Sequence, residues 1–414
     1  MGAEGIVVVG AGQAAASLVA KLRGLGCDAA ITLIGEEPVP PYQRPPLSKA
    51  YLLGEMEQER LFLRPAAWYR DMNITLRLGM RAVAIDPGQK QLRLQDGTSL
   101  SYGALVLATG STANRLPAAL GGDLRGVHVV RDLADVDHMA PAFQPGRRVV
   151  IIGGGYIGLE AAAVAAKRGL DVCVAEQSAR ILQRVAAPQT SDFFRALHQG
   201  HGVRVIEGVG VHKIAGCDGQ VSDVHLADGR VLPADFVIVG VGIKPATALA
   251  EAAGLAVENG ILVDEFGRCS NPDIWAVGDC AAFPHAGGQL RLESVPHAIA
   301  HGECVAANLM GAMVAYRAQP WFWSDQYDVK LQIAGLNTGY DKIVTRISAT
   351  VADASVLPQT PVSFWYYRDD QLLAVDAMND PRAFMIAKRL IEAGRSAPAN
   401  AVADSSIDLK TLLG

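Results

Sequence analysis

No Cys-x-x-Cys pair and no closely spaced pair of cysteines occurs in these 414 residues. The six cysteines, Cys27, Cys173, Cys217, Cys269, Cys280 and Cys304, stand far apart. Neither a redox dithiol nor a zinc or iron-sulfur site is therefore written locally, and no metal ligand set is expected. Most of these thiols read as small buried fillers. No apolar run approaches the ~20 residues of a membrane-spanning helix, because the alanine-rich stretch from Ala161 to Ala166 is flanked by Glu160 and Lys167. The charge excess is small and acidic, −5, which gives no general attraction for nucleic acid or an anionic membrane. The first apolar strand starts close behind Met1, Gly2, Ala3 and Glu4, so no signal peptide and a cytoplasmic location are expected. What the chain does have is 50% hydrophobic residues, enough for two or three cores of ordinary domain size.

It also has one pattern twice. Ile6-Val7-Val8-Val9-Gly10-Ala11-Gly12-Gln13-Ala14-Ala15 is repeated as Val149-Val150-Ile151-Ile152-Gly153-Gly154-Gly155-Tyr156-Ile157-Gly158. At one constant offset Gly10, Gly12, Ala15 and Gly26 recur as Gly153, Gly155, Gly158 and Gly169. Each apolar run reads as a buried parallel strand, and the glycines allow a tight turn onto a helix N-terminus where backbone N–H groups can hold a pyrophosphate. An acidic residue closes each unit, Glu36 in the first and Glu176 in the second. Such a carboxylate accepts from a ribose 2′-hydroxyl and repels a 2′-phosphate. A chain built this way is expected to hold two dinucleotides.

The repetition extends further. Asp96-Gly97 followed by Leu105 to Gly110 matches Asp228-Gly229 followed by Val237 to Gly242. Asp-Gly between alternating apolar stretches predicts a hairpin, so each half reads as strand, helix, strand, an antiparallel excursion and a return strand ending in glycine. Between these lies the proline-rich loop Pro38 to Lys49, carrying Arg44 and Lys49, and far downstream Trp275-Ala276-Val277-Gly278-Asp279 places a carboxylate after a short strand, suited to a ribityl chain.

On these residues the chain resembles the flavin-dependent pyridine-nucleotide oxidoreductases, and within them the ferredoxin reductases of the putidaredoxin reductase type. The resemblance is carried by Gly10 to Ala15, Arg44 to Lys49, Ala108-Thr109-Gly110, Gly153 to Glu160, Ala276 to Asp279, Glu293 to Ala298 and Pro320 to Gln326, in family order. It implies an α/β protein of glutathione-reductase-like fold, with two Rossmann-like three-layer nucleotide-binding domains and an α+β C-terminal domain. The implied boundaries are 1–112 with 243–320 for FAD, 113–242 for the nicotinamide dinucleotide, and 321–414 for the C-terminal domain. The resemblance implies FAD contacts from Ala14, Glu36, Arg44, Lys49, Ala82, Arg131, Asp279 and Val295, beside the cradle Gly10, Gly12 and Ala15. It assigns Gly153, Gly155, Tyr156, Ile157, Gly158, Glu160, Glu176 and Gly242 to NADH. The first cradle departs from many relatives in having Ala15 for glycine, an accepted variant at a position that packs helix on strand.

Hydride transfer from nicotinamide to flavin needs no strong acid or base, so no catalytic triad is expected. Val295-Pro296 is suited to open a helix whose N–H groups face the flavin. Lys49 and Glu160 are expected to pair beside it, with Tyr156 and Trp323 completing the catalytic set, Trp323 at the edge facing the electron acceptor. From Trp321 onward, aromatic runs such as Val362 to Tyr367 read as antiparallel strands, followed by a mobile linker from Gly394 to Ala401 and a last short helix. The implied activity is NADH oxidation with single electrons passed to a 2Fe-2S ferredoxin serving a haem-thiolate monooxygenase or aromatic-ring dioxygenase, by a monomer or weak dimer. Two alternatives stand: an NADH oxidase or disulfide reductase of the same superfamily, disfavoured because the Pro38 to Lys49 loop has no cysteine, and a redox interaction protein like apoptosis-inducing factor.

Overall fold

The computed structural model describes residues 5–347 and 361–413; the first four residues, on which the expectation of no signal peptide rests, lie outside them. The chain divides into two compact units, one made of Met1–Arg44, Met56–Thr112 and Ile243–Pro320, the other of Pro45–Glu55, Ala113–Gly242 and Trp321–Gly414. The segment Pro45–Glu55 thus leaves the unit that surrounds it in sequence.

In the first unit five parallel strands are ordered Ile274–Ala276, Ala104–Leu107, Ile6–Val9, Ile31–Ile34, Ile74–Arg77. The Ile6–Val9 strand is buried throughout, as a central parallel strand covered on both faces must be. Its side chains alternate between two cores: Ile6 and Val8 join the helix side with Leu18, Leu22 and Val305, while Val7 and Val9 join the side of the antiparallel hairpin strands with Leu92 and Leu94. Three layers result. Gln13–Gly24 and Val295–Leu309 are the helices of the first side, and they approach closely because Gly302 has no side chain: a Cβ there would lie 2.5 Å from the Ala14 carbonyl oxygen.

The second unit repeats the plan with Arg204–Ile206, Asp171–Ala175, Arg148–Ile152, Phe236–Val239 and Val127–His128, again all parallel. The fifth strand differs in origin. In the first unit it comes from residues after the return strand, in the second from residues before the cradle. Both Asp-Gly pairs form the expected turns, between Gln91–Leu94 and Ser99–Ser101 and between Gln220–Leu226 and Val231–Pro233.

The C-terminal part of the second unit is a five-stranded antiparallel sheet, in order Trp321–Gln326, Val329–Gly335, Gln371–Met378, Val362–Arg368, Lys342–Ile347, with the helix Pro381–Glu392 on one face. Trp365, Tyr366 and Tyr367 are fully buried, so these aromatics are core as expected. The stretch expected as a linker, Gly394 to Ala401, runs into a short helix at its end. Ala399–Ala403 is helical, Val402 is buried, and the buried Arg346 guanidinium donates to the carbonyls of Val402, Asp404, Ser405 and Ile407 at 2.7 to 3.4 Å. One cation meeting four carbonyl oxygens ties the tail to the sheet, and linker-like composition carries no trace of it. The last element, Leu409–Leu413, is a 3-10 turn.

Candidate functional site

The two glycine cradles share their backbone geometry. Gly10 has φ +107° and a Cβ there would fall 2.1 Å from the Ala108 carbonyl oxygen; Gly153 has φ +106° and a Cβ would fall 2.4 Å from that of Gly240. Only glycine allows this turn to press on the return strand. Gly12 and Gly155 are the N-cap residues of the helices Gln13–Gly24 and Tyr156–Lys167, and neither helix has a side-chain cap or an acidic residue in its first turn. Nothing lies within 4 Å of a Cβ built at either glycine. First-turn amides without a side-chain cap, at the positive end of a helix and approached over a bare glycine, fit a pyrophosphate.

The third position separates the copies. A Cβ at Gly158 would meet the Gly153 carbonyl oxygen at 2.2 Å, so only glycine fits, whereas Ala15 is accommodated fully buried in the core. The departure from the family pattern at Ala15 therefore leaves the cradle intact.

The closing acids also differ. The Glu176 carboxylate accepts from the Gly154 amide and the Ser178 amide, both at 2.7 Å, which fixes it at the lip of its cradle. Glu36 is exposed, 3.8 Å from Arg81. Its neighbour Glu37 takes the cation of the proline-rich loop instead: Arg44 donates to Glu37 at 2.6 Å, and the Tyr42 hydroxyl donates to the other oxygen at 2.6 Å. Sequence reasoning missed Glu37, since two adjacent glutamates give no sign of which one a loop arginine meets.

In the first unit, Asp279 accepts from the Ser111 hydroxyl at 3.2 Å. The preceding Gly278, at φ +74°, would bring a Cβ to 2.9 Å from that of Ala14, so the Gly-Asp turn packs directly on the cradle helix. Its amide donates to Nδ1 of the buried His301 at 3.3 Å. Val295 and Pro296 do open a helix, capped by the Ser294 hydroxyl, which accepts from the His297 amide at 3.3 Å. Burial pushes the imidazoles of His297, to about 4, and of His301 well below the usual range, so both are neutral at physiological pH. Ala82 begins the strand Ala82–Asp86 and is half-buried.

In the second unit, Lys49 Nζ lies 2.6 Å from Glu160 Oε2. The Glu160 side chain is 5% exposed, and it also accepts from the Ser48 hydroxyl at 2.6 Å and, on Oε1, from the Ser324 hydroxyl at 2.7 Å. The expected pair therefore exists, held by two serines that the sequence did not single out. Tyr156 is the first residue of its helix, with its ring 5.0 Å from that of Phe322 and its hydroxyl buried without a hydrogen-bond partner among the described residues. Burial first, and then the nearby Asp376 carboxyl, push its phenol well above the usual range. Ile157 is exposed on the same first turn. Gly242, at φ +93°, accepts from the Asn114 amide at 3.0 Å. The Arg131 amide donates to Asp135 at 3.0 Å. Trp323 lies in the edge strand Trp321–Gln326, half-buried, 5.7 Å from the Trp321 ring.

Cys27, Cys173, Cys269 and Cys280 are buried and unpaired, as fillers should be, while Cys304 is half-buried and Cys217 exposed. Burial raises the Cys269 and Cys280 thiols, which makes them poor nucleophiles. Among the described residues no cluster of His, Cys, Asp and Glu could hold a metal ion, and no helix is long and apolar enough to cross a membrane.

Residues 4–302 match the pyridine nucleotide-disulphide oxidoreductase family, and residues 321–413 match the reductase C-terminal family. The chain belongs to the pyridine nucleotide-disulphide oxidoreductases. It is 42% identical over 407 residues to rhodocoxin reductase of Rhodococcus erythropolis, covering 98% of this chain and 93% of the relative. It is 43% identical over 392 residues to a ferredoxin–NAD(P)(+) reductase of a Sphingomonas species, covering 94% and 92%. Among solved structures, the covalent putidaredoxin reductase–putidaredoxin complex superposes with TM-score 0.94 at 40% identity, covering 99% of this chain and 98% of the other. The fold implied by the resemblance is that of these oxidoreductases.

Proposed function

We propose that this flavoprotein reductase takes hydride from NADH onto FAD and passes electrons singly to a 2Fe-2S ferredoxin of a monooxygenase or ring-hydroxylating dioxygenase system. The observation that carries this reading is the pair of bare, uncapped glycine cradles in one chain, together with family membership and the relatives' names. Bound FAD supplies the redox chemistry, accepting a hydride and giving up electrons one at a time.

The chain's residues bind and orient. Gly10, Gly12, Ala14 and Ala15 form the FAD cradle, Asp279 accepts from the ribityl chain, and the helix that opens at Val295 offers its N–H groups to added negative charge. Glu36, Arg44, Ala82 and Arg131 complete the flavin set. Gly153, Gly155, Ile157, Gly158 and Gly242 admit NADH, Glu176 reads its 2′-hydroxyl, and Tyr156 covers the nicotinamide position. Lys49, fixed by Glu160, supplies positive charge at the flavin, and Trp323 marks the exit edge. The domains that do this are residues 1–112 with 243–320, residues 113–242, and residues 321–414. The protein acts in the cytoplasm as a monomer or weak dimer.

The test is cytochrome c reduction by NADH, first with the purified protein alone and then with added 2Fe-2S ferredoxins. Ferredoxin-dependent reduction is expected. Equal rates with and without ferredoxin, at full NADH-to-ferricyanide turnover, would favour an oxidase or a signalling protein instead.

A further inference from the structure

The Glu160 carboxylate does not end at Ser324. Ser324 Oγ accepts from Gln326 Nε2 at 3.2 Å, Gln326 Oε1 faces His198 Nε2 at 2.8 Å, and His198 Nδ1 faces the Tyr327 hydroxyl at 3.1 Å. Ser324, Gln326 and His198 are buried, and all belong to the second unit. The donor directions follow from the inventory of each group. A carboxylate only accepts, so the Ser324 proton points to Glu160. Ser324 can then only accept from Gln326, which must present its NH₂ to the serine and its carbonyl oxygen to the imidazole. His198 must therefore carry its proton on Nε2, leaving Nδ1 to accept from Tyr327. Every link from the Tyr327 hydroxyl points toward Glu160, and the Lys49 ammonium donates to the same carboxylate from the other side.

The strand Trp321–Gln326 makes this arrangement possible by its period of two. Phe322, Ser324 and Gln326 share one face, toward Tyr156, Glu160 and His198, while Trp321, Trp323 and Asp325 share the other. One edge strand thus presents the proposed exit tryptophan and, on its reverse, the donors for the Lys49 partner.

We propose that Ser324, Gln326 and His198 are positioning residues that hold the Glu160 carboxylate, and through it Lys49, by a line of hydrogen bonds with one fixed direction. The inference rests on the functional reading above, in which Lys49 attends the flavin. Its energetic basis is cooperative: in a buried chain each bond polarises the next, and a reversed member leaves two acceptors facing each other.

Two measurements test it in the full-length flavin-loaded protein. Histidine ring NMR on selectively labelled protein should show His198 as the Nε2-protonated tautomer; an Nδ1-protonated ring would overturn the direction of the whole line. Rapid mixing with NADH should show that Ser324→Ala slows flavin reduction about tenfold, within the range expected when a reacting group is misplaced, with the apparent Kd for NADH unchanged. Ser324→Thr, which keeps the hydroxyl, should retain the rate. Gln326→Glu, a near-isostere that can only accept, should be slower than Gln326→Leu, because it draws the Ser324 proton away from Glu160. Flavin content and melting temperature are followed in each variant. A Ser324→Ala protein that reduces its flavin at the wild-type rate, or a Thr variant as slow as Ala, would sink the proposal. Wild-type protein without bound flavin would instead sink the functional reading, and the inference with it.

Discussion

The Glu176 carboxylate accepts the Gly154 amide at 2.7 Å, so the acid that ends one strand is bolted to the glycine turn that ends its neighbour. A carboxylate fixed there repels a 2′-phosphate at a set position. The nearest cation in sequence, Arg180, is turned away, donating to the Ser191 hydroxyl at 2.5 Å and the Gln183 carbonyl at 3.4 Å. NADH should therefore be used in strong preference to NADPH. Glu176→Ala should lower kcat/KM for NADH by a factor matching about 1–3 kcal/mol and narrow the preference, both read from steady-state kinetics. Equal use of the two nucleotides by the wild type would refute the assignment.

Asp279, tied to Ser111 beside the cradle helix, should govern flavin retention. Purified wild-type protein is expected to carry one flavin per chain. Asp279→Ala should lose affinity by about 1–3 kcal/mol and emerge partly colourless. Stoichiometric flavin in that variant, after dialysis against the same buffer, would remove Asp279 from the site.

Asp376 sets a pH dependence of stability. It is fully buried, Oδ2 accepts from the Thr190 hydroxyl at 2.6 Å and from the Tyr366 hydroxyl, and Oδ1 has no partner among the described residues. Burial raises its pKa from 3.8 to about 6, outweighing the two donors. An acid raised on folding binds more protons in the native state, so its contribution is full below about pH 4 and is lost as pH rises to about 6. The loss is of order 2–3 kcal/mol. Asp376→Asn should flatten the fall in melting temperature across that window; an unchanged slope would place the titration elsewhere.

Lys330 is paired with Asp325 across the same hairpin that carries Trp323, and its side chain lies on the Trp323 face. Charge at the rim of a docking surface changes association rate more than chemistry, and does so most at low salt. Lys330→Glu should slow reduction of an acidic ferredoxin at low ionic strength and leave NADH-to-ferricyanide turnover as it was. A loss in both assays would mean that Lys330 supports the flavin site; no loss in either would place docking on another face.

Both cradles were legible because their requirements are local. Gly10 and Gly153 need positive φ, Gly12 and Gly155 need empty space, and a buried strand before each glycine announces itself by its apolar run. The Asp-Gly turns and the Val295 helix start were legible for the same reason, since turn and cap chemistry act over a few residues. The doubling of the motif announced two copies of one nucleotide-binding plan, and each copy has a five-stranded parallel sheet, although the fifth strand comes from a different part of the chain in each.

What only the tertiary structure decided involves partners far apart in sequence. The strand alternation groups Ser324 with Gln326, but it does not say which face meets Glu160, nor that His198 from another helix completes the line. Arg346 reads as one more charged strand residue until the tail carbonyls from Val402 to Ile407 converge on it. Arg44 chose Glu37 over Glu36 by the path of the proline-rich loop. Backbone conformation is dictated by neighbouring residues and so can be read along the chain, whereas the partner of a buried polar side chain is fixed by which elements pack together, and packing is a property of the whole fold.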